Sequence, residues 1–408
     1  MQDKKNDRLY TTLAVTGLVL LCINPGITEG KDFKNLLLIA FMCISPAVLL
    51  IKGARVFIPR IDIPLCLTAF FVIANPLLFH PDSIRWITML FTCAWCVYFM
   101  MLARLVRIAG LSAEDLKRII RGVIYAFTIM LVIQQICVLT GLPVPNSAAV
   151  YSNPFKLNSL TAEPSHTTVT LATLMFFYTQ TLRLISPSQT LLYSLRKEWP
   201  LWLCYVWTIL TPVNASALLL GPLFLLPYIT RRNILPVTGF AIIMILLVAL
   251  TPIGNLTQVK RLEDTVVATL TFDDQAVMDA DLSASARIVP TFRGARLIDP
   301  TDVDMYIGHG VDADQHDTPP RPCDYKENGF AGIFSLWHNY GAVAAISFWT
   351  AIASVTLIRR RWLSLVVFLF AIQMSADYNM QLVWLIMAFS MLFKYSVADD
   401  RKLLSTCR

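Results

Sequence analysis

In a chain of 408 residues, 56% hydrophobic, only 15% charged and with a mean hydropathy of +0.60, there is too little polar surface to cover a water-soluble globule. The formal charge of +7 is unevenly spread. Residues 254–330 carry 14 Asp/Glu against 7 Lys/Arg and the rest carries 13 against 27, so the basic surplus forms no nucleic-acid-binding patch.

Read in chain order, apolar runs approaching the ~20 residues that cross a bilayer as a helix recur throughout. Twelve spans are expected: Tyr10–Pro25, Leu36–Ile51, Ile63–Phe79, Trp86–Ala103, Gly122–Thr140, Thr167–Leu182, Trp199–Pro212, Ser216–Ile229, Ile234–Ile253, Ala331–Ile358, Trp362–Ser375 and Met380–Phe393. The seventh, eighth, eleventh and twelfth are short and need flanking residues or an oblique path. The first ends at Asn24-Pro25-Gly26 without an A-x-A-like site and more spans follow, so it does not read as a cleaved signal. The expected fold is an all-α polytopic membrane protein in one integral domain, 1–408.

Basic residues set the orientation. With the N-terminus in the cytoplasm, inside segments hold 23 Lys/Arg, among them Arg104, Arg107, Lys117, Arg118, Arg121 and Arg359–Arg361, while the short outside loops hold four, Lys31, Lys34, Arg85 and Lys156. Both termini are then cytoplasmic. Reading 199–229 as one bent helix would throw the basic segments at 231–232 and 359–361 and the basic tail outside, so two spans are expected there. Of the nine cysteines only Cys323 falls outside, and a lone exposed cysteine makes no internal disulfide.

Two outer loops are long, 141–166 and 254–330, the latter between spans 9 and 10. Long ordered loops in a compact protein are disproportionately functional. The first leads into Leu160-Thr161-Ala162-Glu163-Pro164-Ser165-His166, where Glu163 is the only acidic residue between Asp115 and Glu198. Pro164 suits a first helical turn, and Glu163 reads equally as a working carboxylate or as a helix-start charge. In the second loop Leu262–Leu270 and Gln275–Ala286 read as helices lying on the membrane surface, followed by breaks at Pro290, Pro300, Pro319, Pro320 and Pro322. Arg287, Arg293 and Arg296 lie within ten positions. Guanidinium forks match phosphate oxygens, and the plain alternative is salt bridging to Asp299, Asp302 and Asp304.

Tyr306-Ile307-Gly308-His309-Gly310-Val311 reads as a flexible, backbone-exposed turn where a histidine meets a ligand. The tract Asp312, Asp314, His316 and Asp317 after it matches no defined metal spacing, so no metal and no cofactor are expected. His338, Asn339 and Asp377 sit near outer span ends, as site residues or as polar contacts between helices.

At these positions the chain resembles the Wzy-type polysaccharide repeat-unit polymerases, closest to the colanic-acid branch and more distantly the O-antigen ligases. The resemblance covers roughly 158–393. It rests on Glu163-Pro164 at a span start, the small-residue segment TPVNASALLL at 211–220, Ser285-Ala286-Arg287-Ile288-Val289, the Gly308–Gly310 turn, Asn328-Gly329-Phe330 and Ser375-Ala376-Asp377-Tyr378. Where ligases carry His-Asn before the span that follows the large loop, this chain reads Glu327-Asn328.

What the resemblance implies is a GT-C-like glycosyltransferase of the bacterial inner membrane, joining undecaprenyl-diphosphate-linked oligosaccharides outside the membrane. The growing chain is the donor, a new lipid-linked unit the acceptor, and a chain-length regulator and a flippase are partners. Arg287 takes the diphosphate with Arg293 and Arg296 in support, and Glu163 takes the acceptor proton, with His166 or His309 next. Asn328 completes the expected substrate contacts. Alternatives are an O-antigen ligase or a flippase for the same glycans, although flippases of that kind show two related halves, absent here.

Overall fold

The computed structural model describes residues 2–24, 35–50, 57–146, 153–212, 217, 220–229, 257–313 and 332–406; side chains are described for these except at 2–7, 257–259, 261–262, 282–284, 286–287 and 399–406. Among the described residues the chain is helical and contains no strand. The helices are α1 (Gln2–Cys22), α2 (Leu36–Leu50), α3 (Pro59–Phe79), α4 (Trp86–Ala109), α5 (Ala113–Thr140), α6 (Pro164–Ile185), α7 (Leu191–Lys197), α8 (Trp199–Leu210), α9 (Thr257–Leu270), α10 (Asp274–Ala280), α11 (Leu282–Arg296), α12 (Asp304–Ile307), α13 (Ser335–Tyr340), α14 (Ala342–Thr356), α15 (Leu363–Met374) and α16 (Gln381–Thr406).

Four of them are long and apolar enough to cross a membrane: α3, α4, α5 and the 381–398 part of α16. Shorter apolar helices cover Arg8–Cys22, Leu36–Leu50, Trp199–Leu210, Ala342–Thr356 and Leu363–Asp377. Helices suit lipid because every backbone polar group finds a partner within the segment. Their outer faces fit as well: Leu78, Ile87, Ile129, Ile136 and Leu139 are exposed, an apolar surface that water does not tolerate at this extent.

Local sequence explains the ends. α5 begins at a capping box in which Ser112 and Asp115 each bond the other's backbone amide, and it stops at Gly141 in the left-handed region, φ 72°. α6 begins on Pro164, whose missing N–H costs nothing in a first turn.

Several expectations change. The segment 331–358 is not one continuous helix: Gly341 (φ 85°) separates α13 from the 15-residue α14. Any Cβ at Gly341 would collide with the Tyr306 carbonyl, so a backbone approach dictates the break. After α8, residues 221–228 form a 3-10 helix rather than an α-helical span. Pro290 lies inside α11 and does not end it. The ninth expected span, 234–253, and Asn328, Cys323 and His316 lie outside the described residues.

The chain divides into two compact units: Met1–Phe41, Leu105–Lys260 and Phe389–Arg408 form one, Met42–Arg104 and Arg261–Ala388 the other.

In the first unit α6 packs on α5, α8 and the 3-10 helix at 221–228. Nearly every residue of α6 from Thr167 to Leu182 is buried, which lets it carry threonines and Gln180 without exposing them to lipid. Phe177 meets Phe389 and Phe393 at ring separations of 6.2 and 6.4 Å, and Lys117 pairs with Glu198 at 2.9 Å.

In the second unit α3 lies along α14, and Trp95 and Trp384 stack with centroids 5.4 Å apart in an aromatic cluster with Tyr98, Phe99 and Phe348. Here Arg104 grips Asp62 with both terminal nitrogens, at 2.9 and 2.8 Å, while Asp62 also accepts the Ile58 amide at 2.5 Å. Asp62 is only 1% exposed. An ion pair this buried is tolerable only because each charge is fully engaged.

Candidate functional site

The first unit fixes Glu163 through a buried polar platform. Gln134, fully buried on α5, donates to the carbonyls of Pro145 (2.8 Å) and Ser159 (3.2 Å) and to Asn158 Oδ1 (3.2 Å), and its own oxygen accepts the Ser159 amide at 2.9 Å. Asn158 Nδ2 donates to the carbonyls of Asn146, Thr161 and Ala162. The Ser159 hydroxyl reaches the Phe127 carbonyl at 2.6 Å, and Thr161 and Thr167 share a 2.6 Å hydroxyl bond. Ser159 is held at φ 50°, a left-handed conformation that a serine adopts only when its surroundings require it.

On that platform Glu163 stands at the N-cap of α6, extended at φ −137° and ψ 150°, with its carboxylate exposed and making no cap bond. Its one shown side-chain partner is the Ser165 hydroxyl at 3.2 Å. His166, half-buried, follows on the same first turn. A carboxylate aimed at solvent from a rigid base, at the end of a buried helix, is equipped to accept a proton or to orient a hydroxyl.

In the second unit α9, α10 and α11 make a layer around Ala268, Val277 and Val289. All three arginines belong to α11, and Arg293 and Arg296, neighbours on one face, are not paired with Asp299, Asp302 or Asp304. Both hold Asp274, Arg293 Nε at 3.0 Å and Arg296 Nη1 at 3.2 Å, and Arg296 also donates to the Phe272 carbonyl. The Ala280–Leu282 turn folds α10 back on α11 and brings Asp274 to them. Arg287 lies in the second turn of α11, its side chain outside the described part. Asp299 caps the following turn: the Thr301 hydroxyl and amide hold its carboxyl below the ordinary range.

Also in the second unit, segments around 75–92, 302–313, 336–341 and 377–379 meet in a polar knot. Backbone amides of His309 and Gly310 donate to the carbonyls of His338 and Asn339. Asn75 donates to the Tyr340 carbonyl at 2.7 Å, His80 Nε2 lies 2.6 Å from the Gly308 carbonyl, and Arg85 pairs with Asp312 at 3.0 Å. The rings of His309 and His338 stack at 4.1 Å, 16° from parallel. The Gly308–Gly310 turn is therefore packed, not an open flexible loop: Gly308 (φ 86°) and Gly310 (φ 108°) are buried, and a Cβ at Gly308 would come within 2.5 Å of the Asn339 carbonyl.

Sequence reasoning singles out the helix start at Glu163-Pro164 and the three arginines, and it misses Gln134, Asn158, Asp274 and the Asp62–Arg104 pair. Glu163 belongs to the first unit and the arginines to the second. Compared with known proteins, the chain significantly matches no family model, no curated protein and no solved structure.

Proposed function

We propose that this chain is a membrane glycosyltransferase that polymerises undecaprenyl-diphosphate-linked oligosaccharide repeat units on the outer face of the bacterial inner membrane. The observation that carries the reading is Glu163, an exposed carboxylate on a rigid buried platform within an apolar helical chain. An acceptor hydroxyl oxygen attacks the anomeric carbon of the donor. The bond from that carbon to the diphosphate breaks, the diphosphate leaves on its lipid, and the hydroxyl proton passes to Glu163. Arg287 meets the charge that develops on the leaving diphosphate. Arg293 and Arg296, already engaged by Asp274, act by holding α11. His309 is committed to the knot, which leaves His166 as the second group near the acceptor.

The proposed topology has twelve spans with both termini in the cytoplasm. Contacts inside the second unit support its parity. Asn75, His80 and Arg85, at the outer ends of α3 and α4, bond Tyr340, Gly308 and Asp312. Those partners share a side when an even number of crossings separates 85 from 304, which supports counting 199–229 as two passages if 234–253 makes one. Asp62–Arg104 and Lys117–Glu198 join segments that the same topology leaves inside.

The test is purified protein incubated with lipid-linked repeat units. Longer chains on the carrier lipid support a polymerase, and movement of intact single units across a vesicle membrane without elongation would make the chain a flippase.

A further inference from the structure

We propose that Asp302, Asp304 and His309 form a binding site for one divalent first-row cation, Zn2+ in preference to Ca2+. Spacing along the sequence pointed elsewhere, to residues 312–317, and matched no defined site. Folding creates a different grouping. One ligand atom from each of Asp302, Asp304 and His309 lies within 4.8 Å of the others, the single group of this kind among the described residues.

Three observations separate this trio from a chance meeting of acids. The first concerns the histidine. His309 Nδ1 lies 3.2 Å from the His338 carbonyl; with Nδ1–H donating there, Nε2 is left as a lone-pair donor. A metal-bound histidine is held by just such a bond from its other ring nitrogen. The stacked, buried His338 further fixes the ring plane.

The second is charge. Among the described residues neither Asp302 nor Asp304 has a lysine or arginine within 4.0 Å, although Asp312 and Asp62 each have one and Asp274 has two. Two carboxylates side by side with no cation repel each other, and a bound cation removes that cost. The third is reach. A tetrahedral cation with bonds of about 2.0–2.2 Å holds its ligands roughly 3.4 Å apart, so the group closes by at most ~1.4 Å. Asp302 is exposed, its Oδ1 accepting the Asp304 amide, and Asp304 is half-buried, so both carboxylates are open to that small movement.

One imidazole with two carboxylates favours Zn2+ or Mn2+, because Ca2+ requires six to eight oxygens. Water takes the remaining positions. The cation then ties Asp302 and Asp304 to His309, which itself already bonds the His338 carbonyl. The site is independent of the polymerase reading and survives if that reading fails.

The experiment uses full-length protein in detergent, stripped with a chelator and titrated with Zn2+, Mn2+ and Ca2+. The expected result is one equivalent of Zn2+ per chain, a higher unfolding temperature with Zn2+, and at least about tenfold weaker binding in Asp302→Asn, Asp304→Asn and His309→Ala. Asp302→Asn keeps the oxygen that accepts the Asp304 amide, so it remains a fair test if His309→Ala fails to fold. No Zn2+ binding, tighter binding of Ca2+ than Zn2+, or undiminished binding in Asp302→Asn and Asp304→Asn would each overturn the assignment.

Discussion

Gln134→Leu removes the centre of the platform beneath Glu163 while keeping helix propensity and approximate volume. Gln134 is the one shown partner of two buried groups, the Ser159 amide and Asn158 Oδ1. The Ser159 carbonyl keeps a second donor in Asn146, at 2.6 Å. Each stranded buried group costs about 1–3 kcal/mol, so the variant loses roughly 2–6 kcal/mol, a large part of the ~5–15 kcal/mol that holds a typical fold. Gln135→Leu, on the next position of α5, loses only two longer bonds, at 3.2 and 3.3 Å, and should cost about 1 kcal/mol or less. Thermal unfolding of both variants in detergent measures the contrast. With ~1 kcal/mol worth about 2–4 °C, the midpoint should fall by roughly 5 °C or more for Gln134→Leu and little for Gln135→Leu. Equal midpoints would refute the idea that this network fixes the 158–163 segment.

Arg104→Met leaves the Asp62 carboxylate buried with only the Ile58 amide and should cost ~3–5 kcal/mol. Adding Asp62→Asn removes the charge but keeps an acceptor for that amide, so the double variant should recover most of the loss; membrane protein level and unfolding temperature report it, and no recovery would mean the pair's charge is not the issue. Gly341→Ala should destabilise by at least ~1–3 kcal/mol from backbone strain alone, because a left-handed residue meets the Tyr306 carbonyl there; a wild-type unfolding temperature would contradict the break between α13 and α14. In cells whose outer membrane has been permeabilised, a variant retaining only Cys323 should react with a reagent that cannot cross the inner membrane, and one retaining only Cys407 should be protected. The reverse pattern would invert the proposed topology.

What the sequence makes legible is local. Apolar runs reveal α3, α4 and α5 because lipid demands about 20 residues of the same character in a row. The isolation of Glu163, followed by Pro164, marks a helix start because proline's fixed φ and absent N–H suit a first turn. Arg293 and Arg296, three positions apart, reveal one helix face.

What stays hidden depends on partners far along the chain. Gln134 on a membrane helix carries no signal that Asn158 and Ser159 will need it. A hydropathy window averages across Gly341 and sees one long span, whereas the break is forced by the Tyr306 carbonyl 35 residues earlier in the chain. Asp299, Asp302 and Asp304 are near the arginines in sequence, but a tight turn brings Asp274 to them instead. Pro290 continues a helix that a proline would ordinarily end.

The central claim is tested most directly by the ratio of polymer to single units on the carrier lipid, made by wild type and by Glu163→Gln at equal membrane protein level. Loss of a helix-end charge costs only ~0.3–1 kcal/mol of stability, whereas a general base contributes about 10²–10⁴-fold in rate. The account predicts that Glu163→Gln inserts normally and accumulates single lipid-linked units. Near-normal polymer from that variant would contradict it and reduce Glu163 to a helix-start residue.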